Sequence, residues 1–444
     1  MVLQQNSTFT ISGEEKPPYR PVKINCSWEG ESQYHTVEVS GDGRWSQEID
    51  VPAASFVKHT VTVTAEGRKE LVFSNILIGE VWLCSGQSNM WFPLIDAFNG
   101  ITEINGADNY PDIRLLDMRR LQSSQPVDTF PARWQVCSKQ SVRNFSAIGY
   151  FFGKKLLQEL NVPIGLINAS WGATTAEVWA ERNAVLNNPQ IKDVALINDN
   201  TPILQYPEVP YQIGSAYNAM IHPLGKIPIA GVIWYQGEGN VKYPDTYPDL
   251  LSTLVTSWRR LWNVPAEQLP FYIAQICPYK ESTANHAMRF AQLKASKQIP
   301  NSGVTCNDDI ADLDDIHPKN KQDAGIRFAC LALADKYRRT DFNSKKSPVF
   351  KSYTVNGNKM TVEFSFADEG LKTRDNAAPA MFEIAGANRV FFPASATIVG
   401  NKVELTSSSV ANPSAARLGW NHINITNLTS SSGLPVCIFK TYEW

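Results

Sequence analysis

The chain shows three successive patterns of hydrophobic and polar positions. In residues 1–78, apolar and polar positions alternate, which is typical of strands with one buried face. Residues 79–340 change to short apolar runs separated by segments with helical spacing. Alternation returns in residues 341–444, where Met360, Val362 and Phe364 lie two positions apart. We therefore predict an N-terminal β module, a central α/β domain and a C-terminal β module, both modules sandwich-like.

The central region predicts a parallel sheet that helices cover on both faces. Six apolar runs have the length of buried strands, at residues 80–84, 113–116, 165–168, 231–235, 271–277 and 303–306. Segments with helical spacing lie between or after them, at residues 146–160, 247–262, 284–296 and 321–337. Strands that alternate with helices are typical of a parallel sheet, so the predicted fold class is α/β.

Composition excludes several classes of protein. The 444 residues are 43 % hydrophobic and 19 % charged, which is ordinary for a folded domain protein. A net charge of −2 gives no reason to expect a nucleic-acid partner, and no apolar run is long enough to span a membrane. The seven cysteines are scattered without a C-x-x-C pair, so neither a zinc ribbon nor a redox motif is expected.

A serine follows the first predicted strand. The run ends at Gly86, whose small size permits a sharp turn, and Ser88 comes two residues later. A serine exposed at such a turn is how several hydrolases present a nucleophile. The fuller G-x-S-x-G pattern is absent, because Met90 stands at the position of its second glycine. Ser88 therefore needs partners from elsewhere in the chain.

Other predicted strands end in polar groups that could supply these partners. Ligands of parallel α/β sheets bind beyond the carboxyl ends of the strands. Trp171 and Gly172 follow the strand at 165–168, and Gln236 and Glu238 follow the strand at 231–235. The last strand is followed by an acidic loop, residues 308–317, that ends in a histidine.

The end of this loop reads Asp314-Asp315-Ile316-His317. A catalytic histidine needs one ring nitrogen facing the nucleophile and the other held by a carboxylate. Asp314 is the predicted orienting carboxylate, and Asp315 is the rival. A solvated acidic loop and a calcium site are the alternatives, although the loop lacks the spacing of an EF-hand. His222 and His286 are competing histidines, and both are expected to be structural.

Several motifs together resemble the sialate O-acetylesterase group of SGNH-type carbohydrate esterases. The first is G-E-V-W-L-C-S-G-Q-S-N-M-W at residues 79–91. The others are S-W-G-A-T-T-A-E-V-W at 170–179, Y-N-A-M-I-H-P-L at 217–224, G-V-I-W-Y-Q-G-E-G-N at 231–240 and D-D-I-H-P-K-N-K-Q-D-A-G at 314–325. The resemblance covers residues 79–340 and implies a flavodoxin-like SGNH core.

The resemblance also implies roles for individual residues. Ser88 would be the nucleophile, His317 the general base and then acid, and Asp314 its orienting carboxylate. The oxyanion hole would combine the backbone N–H groups of Ser88 and Gly172 with the Gln236 side chain. Further residues are expected at the substrate: Gln87, Trp171 and Glu238. No metal and no organic cofactor is expected.

The predicted activity is removal of O-acetyl groups from carbohydrates, with O-acetylated sialic acid as the first substrate. An acetyl xylan esterase and a carbohydrate-binding protein without activity are the alternatives. The resemblance leads us to expect a secreted or periplasmic protein. The chain opens in M-V-L-Q-Q, which already reads as domain sequence and contains no export signal.

Overall fold

The structure, a computed structural model that describes residues 1–30 and 32–444, is built around a mostly parallel sheet. Its strands lie in the spatial order Ser302–Thr305, Phe271–Ala274, Gly231–Tyr235, Leu71–Gly86, Ile164–Ser170, Ile113–Asp117 and Gln135–Val136. Neighbouring strands run parallel up to the last pair, which is antiparallel. The predicted α/β fold class is confirmed.

The longer helices pack against this sheet in contacting pairs. Ala147–Leu160 packs against Lys321–Asp335, and Tyr247–Leu261 packs against Asn285–Gln298. Shorter helices cover Ser88–Trp91, Gly100–Gly106, Lys139–Val142, Arg182–Leu186 and Lys192–Asp199. In the described part of the chain, no helix combines the length and the apolar character that crossing a membrane requires.

Polar side chains fix where two of the long helices begin. Ser146 accepts a hydrogen bond from the Gly149 amide, and Asn320 accepts one from the Asp323 amide. Side-chain acceptors of this kind satisfy N–H groups that the first turn of a helix leaves free. Asn320 thereby ends the loop that carries His317 and starts the next helix at a defined residue.

Most of the N-terminal strands are continuous with the central sheet. The six strands cover Val2–Gln4, Ser7–Glu14, Val22–Cys26, His35–Val37, Arg44–Val51 and Ser55–Ala65. Ser7–Glu14 and Arg44–Val51 pair with each other as a separate two-stranded sheet. The first part of Leu71–Gly86 pairs antiparallel with the last of these, and the same strand then enters the parallel sheet. The predicted boundary between residues 78 and 79 therefore falls inside one strand. The division of the chain into three domains stays a prediction.

The C-terminal strands pack around a second apolar core, to which the central region also contributes side chains. They cover Val349–Asn356, Lys359–Ser365, Leu371–Thr373, Phe382–Ala385, Phe391–Pro393, Ser395–Val399, Lys402–Thr406, Ala415–Leu418, Leu428–Ser430 and Phe439–Lys440. Met360, Val362 and Phe364 are buried, as their alternation predicts. The same apolar cluster includes Leu293 and Val304 from the central region.

A buried ion pair reinforces this interface. Arg289 and Asp308 contact each other at 3.3 Å, and both side chains are 0 % exposed. The Thr426 hydroxyl of the C-terminal region donates to the same carboxylate at 3.2 Å. A buried charge without its partner is costly, so this pair ties the C-terminal strands to the segment that leads to the acidic loop.

We expect Asp308→Ala to lower the free energy of unfolding by about 3–5 kcal/mol, because it leaves the Arg289 guanidinium buried and uncompensated. Urea denaturation followed by circular dichroism measures this change. Asp341→Ala is the matched control: it removes a surface partner of Arg339 and should leave the unfolding midpoint unchanged. Equal midpoints for the two variants would contradict a structural role for the buried pair.

Candidate active site

The turn that presents Ser88 depends on a glycine at position 86. Gly86 has φ +136°, and a Cβ atom there would lie 2.1 Å from the Tyr235 carbonyl oxygen of the neighbouring strand. The Gln87 amide donates to the same oxygen at 2.9 Å. The chain then enters the one-turn helix Ser88–Trp91, with Ser88 as its first residue. A residue with a side chain at position 86 would push this turn away from the sheet.

Ser88 emerges where the strand order of the sheet changes direction. Leu71–Gly86 has Ile164–Ser170 on one side and Gly231–Tyr235 on the other. Gly86 is in register with Ser170 and with Tyr235, so all three strands end at the same level. Such a switch point opens a crevice at the carboxyl edge of the sheet, where α/β proteins bind their ligands.

The structure brings Ser88 and His317 together. His317 Nε2 lies 2.8 Å from Ser88 Oγ, across 229 residues of sequence. Burial lowers the pKa of His317, and the nearby Lys321 charge lowers it further, whereas Asp315 opposes the shift. A neutral imidazole is therefore favoured at neutral pH, and such a ring can accept the serine proton.

The carboxylate beside His317 belongs to Asp315, so the structure contradicts the prediction of Asp314. Asp315 Oδ1 lies 3.8 Å from His317 Nδ1 and accepts a hydrogen bond from the His317 amide at 2.8 Å. Asp314 turns to the other side of the loop, pairs with Lys280 and is 74 % exposed. Asp314 lies in a turn that the hydrogen bond from the Asp315 amide to the Asp312 carbonyl closes, and spacing alone could not tell which of the two carboxylates faces the ring.

Other carboxylates of the acidic loop pair with separate cations. Asp308 contacts Arg289, and Asp309 forms a bidentate pair with Arg327 at 2.7 and 2.6 Å. Within residues 1–30 and 32–444, no group of three or more His, Cys, Asp or Glu side chains is arranged to hold a metal ion. The loop thus differs from the shared carboxylate cage that calcium requires.

Gly172 lies next to the serine, as the prediction requires. A Cβ atom at position 172 would be 3.4 Å from Ser88 Cβ, so the two backbones approach closely. Among the described residues, neither the Ser88 nor the Gly172 N–H group donates to a protein acceptor. Both donors are thus free to bind an oxygen atom of a ligand.

Gln236 is not placed to act as the third donor. Its side-chain nitrogen donates to the Thr174 carbonyl at 3.1 Å and to Asn240 Oδ1 at 2.8 Å. Its side-chain oxygen accepts from the Tyr247 hydroxyl at 3.0 Å. Because the side chain is fully buried, its amide must find partners inside the protein. The predicted oxyanion role of Gln236 is therefore contradicted by its contacts.

The three predicted substrate-binding side chains are mostly enclosed by protein. The Gln87 oxygen accepts from the amides of Gly237 and Gly239 at 3.4 and 3.1 Å, which holds their loop. Trp171 is 7 % exposed and belongs to the apolar core. The buried Glu238 carboxyl group accepts a hydrogen bond from Asn89 at 2.6 Å. These positions favour bracing of the site over contact with a substrate.

The sequence analysis missed two residues that surround Ser88 and His317. Asn89 donates to Glu238 and, at 3.1 Å, to the Ile316 carbonyl. Lys321 is buried and donates to the Asn89 side-chain oxygen. Asn89 lies in the motif at residues 79–91 and Lys321 in the motif at residues 314–325, but the sequence analysis assigned functions only to other residues of these motifs. The competing histidines lie elsewhere, His222 against the Val127 carbonyl and His286 against Trp420.

The molecule is an α/β protein with a serine–histidine contact at the carboxyl edge of its parallel sheet. Residues 78–334, more than half of the chain, match the carbohydrate esterase family described as sialic acid-specific acetylesterase. The chain belongs to this family.

Individual relatives agree with this assignment. The chain is 29 % identical over 310 residues to the sialate O-acetylesterase of Mus musculus. The aligned region covers 59 % of this chain and 57 % of that protein. The human sialate O-acetylesterase is 29 % identical over 293 residues, with 54 % of that protein covered. The chain thus spans little more than half the length of these relatives.

A solved structure resembles the whole chain. A carbohydrate acetylesterase from Xanthomonas citri is 30 % identical and has a TM-score of 0.88. The likeness covers 100 % of this chain and 97 % of that one, so it includes the N-terminal and the C-terminal strands.

We expect Asp315→Asn to lower the pKa of His317 by about half a unit or more, because an amide removes the negative charge that stabilises the imidazolium ion. NMR titration of the His317 ring measures this value. Asp314→Asn, the same change one residue away, should leave the pKa unchanged because its carboxylate pairs with Lys280 in solvent. A larger shift in Asp314→Asn than in Asp315→Asn would show that Asp314 faces the ring.

Proposed function

We propose that this protein is a serine esterase that removes O-acetyl groups from carbohydrates. The observation that carries the proposal is the 2.8 Å contact between Ser88 Oγ and His317 Nε2 at the switch point of the sheet. Family membership supports an acetylated carbohydrate as the substrate. A secreted or periplasmic location is part of this proposal.

The first half of the reaction forms an acetyl-enzyme. His317 Nε2 accepts the Ser88 proton while Ser88 Oγ attacks the carbonyl carbon of the acetyl group. Negative charge develops on the carbonyl oxygen, and the free N–H groups of Ser88 and Gly172 are positioned to stabilise it. Removal of one such donor typically costs about 3 kcal/mol of transition-state stabilisation. His317 then donates the proton to the sugar oxygen, and the C–O bond to the sugar breaks.

The second half releases acetate. A water molecule attacks the acetyl carbon while His317 accepts one of its protons. The same two N–H groups face the second oxyanion. The bond to Ser88 Oγ then breaks, His317 returns the proton to that oxygen, and the product leaves as acetic acid, which loses its remaining proton to solvent to give acetate.

We assign Asp315 the role of orienting His317. Its carboxylate lies on the Nδ1 side of the ring and also fixes the His317 amide. A negative charge there stabilises the imidazolium ion that each half-reaction forms. Since Nδ1 and Oδ1 are 3.8 Å apart, a small inward movement of the loop would convert this contact into a hydrogen bond.

Two substrate classes compete within this proposal. O-acetylated sialic acid is the first choice, because the mammalian relatives are sialate O-acetylesterases. An acetylated plant polysaccharide such as xylan is the second, since the solved structure that matches the full chain is called a carbohydrate acetylesterase without a named sugar. A binding protein without activity is less well supported, because it has no need of an aligned serine and histidine.

We expect wild-type protein to release acetate from a panel of 9-O-acetylated sialic acid, an acetylated xylo-oligosaccharide and an aryl acetate. Ser88→Ala should reduce turnover by roughly 10⁶-fold, because the serine and the histidine act as a unit. A coupled acetate assay measures both. Substantial turnover by Ser88→Ala would contradict the assignment of the nucleophile. No acetate from any of the three substrates with wild-type protein would favour the binding protein.

The pH dependence tests the assignment of the base. His317 must be neutral to accept the Ser88 proton, so kcat/KM should rise with pH through the pKa of that ring. Burial and the Lys321 charge lower the pKa, so the midpoint of the acid limb should lie below 6.5. Stopped-flow measurement on the aryl acetate between pH 4 and pH 8 would locate it. A midpoint well above 6.5 would contradict His317 as the base.

A further inference from the structure

A buried ammonium group lies behind the Ser88–His317 pair. Lys321 begins the helix Lys321–Asp335 and is 2 % exposed. Its Nζ donates to Asn89 Oδ1 and lies 4.6 Å from the centre of the Phe92 ring. Among residues 1–30 and 32–444, no carboxylate oxygen lies within 4.0 Å of Nζ. Burial of a cation without a direct counter-ion lowers the stability of the folded protein, which favours a functional role for Lys321.

The Asn89 side chain connects this ammonium group to both halves of the site. Its oxygen accepts from Lys321, and its nitrogen donates to the Ile316 carbonyl at 3.1 Å and to Glu238 Oε1 at 2.6 Å. Asn89 follows Ser88 in the chain, and Ile316 precedes His317. One amide thus holds the turn of the nucleophile against the loop of the histidine.

After burial, the Lys321 charge is the largest cause that lowers the pKa of His317. Burial raises the pKa of Glu238, and its second oxygen has no partner among the described residues. Burial lowers the pKa of Lys321 to about 8, so this side chain stays mostly protonated at neutral pH. Asp315 on the loop opposes the effect of Lys321 on His317, and the buried Cys277 thiol also faces Lys321.

We propose that Lys321 is a positioning residue with two effects: through Asn89 it holds Ser88 against His317, and it supplies a buried positive charge behind the histidine ring. The charge favours the neutral ring and so extends the active form of the enzyme to lower pH. The catalytic consequence rests on the proposed esterase function. The effect on the titration of His317 does not.

Two substitutions separate these effects. Lys321→Gln removes the charge and keeps an N–H donor for Asn89, whereas Lys321→Met removes both. Lys319→Met is the matched control, since it removes a positive charge two residues earlier from an exposed side chain whose charge solvent screens. If Lys321→Met fails to fold, Lys321→Gln alone still decides the effect of the charge.

The first measurement is an NMR titration of the 444-residue chain with labelled histidine rings, in which His317→Asn identifies one of six signals. We expect the pKa of His317 to rise by about one unit in both Lys321 variants and to stay unchanged in Lys319→Met. A change below about 0.2 unit in both Lys321 variants would overturn the electrostatic effect. This readout needs no turnover, so it holds even if the proposed esterase activity fails.

The second measurement is kcat/KM on the aryl acetate at the plateau of each variant's pH profile, so that protonation of the histidine does not enter the comparison. We expect a loss of at least about tenfold in Lys321→Met and a smaller loss in Lys321→Gln, because only the latter keeps a donor to Asn89. Equal activity of Lys321→Met and wild type would overturn the positioning role. Inactivity of wild type as well would instead refute the proposed function.

Discussion

The close approach of two backbones at the centre of the sheet is the constraint on which the site depends. The Tyr235 carbonyl lies where a side chain at position 86 would be, so only glycine permits the strand to end there. The turn that follows places Ser88 beyond the sheet, level with the ends of both neighbouring strands. A parallel sheet brings segments that are distant in sequence together at the carboxyl edge of its strands, and this turn places the Ser88 hydroxyl at that edge.

Most polar side chains near Ser88 hold the site together. Gln87, Gln236 and Asn89 each connect loops from different strand ends. A buried amide has to satisfy its donors and acceptors inside the protein, so such a residue is committed to its neighbours once the loops have closed. Among the described residues beside Ser88, the backbone N–H groups of Ser88 and Gly172 have no protein acceptor. Preorganisation of this kind stabilises developing charge without reorganisation during the reaction.

The C-terminal strands belong to the same framework. Their contact with Arg289 and Asp308 lies on the segment that continues into the acidic loop and His317. The resemblance to the Xanthomonas citri acetylesterase extends over the full chain, which indicates that this arrangement is common to both proteins. The match to the mammalian relatives covers about three fifths of the chain.

The sequence alone predicted the alternation of strands and helices, the turn at Gly86, and Ser88 and His317 as candidate residues, which the structure places 2.8 Å apart. The strands, helices and turn are readable locally because they depend on periodicity and on turn-forming residues. Tertiary structure decided which carboxylate faces the histidine, because Asp314 and Asp315 are neighbours that differ only in direction. Tertiary structure also determines that the Gln236 side-chain nitrogen donates to Thr174 and Asn240. It likewise determines that the buried Lys321 donates to Asn89. The contacts of Gln236 with Thr174 and of Lys321 with Asn89 join residues 62 and 232 positions apart, and no local pattern encodes them.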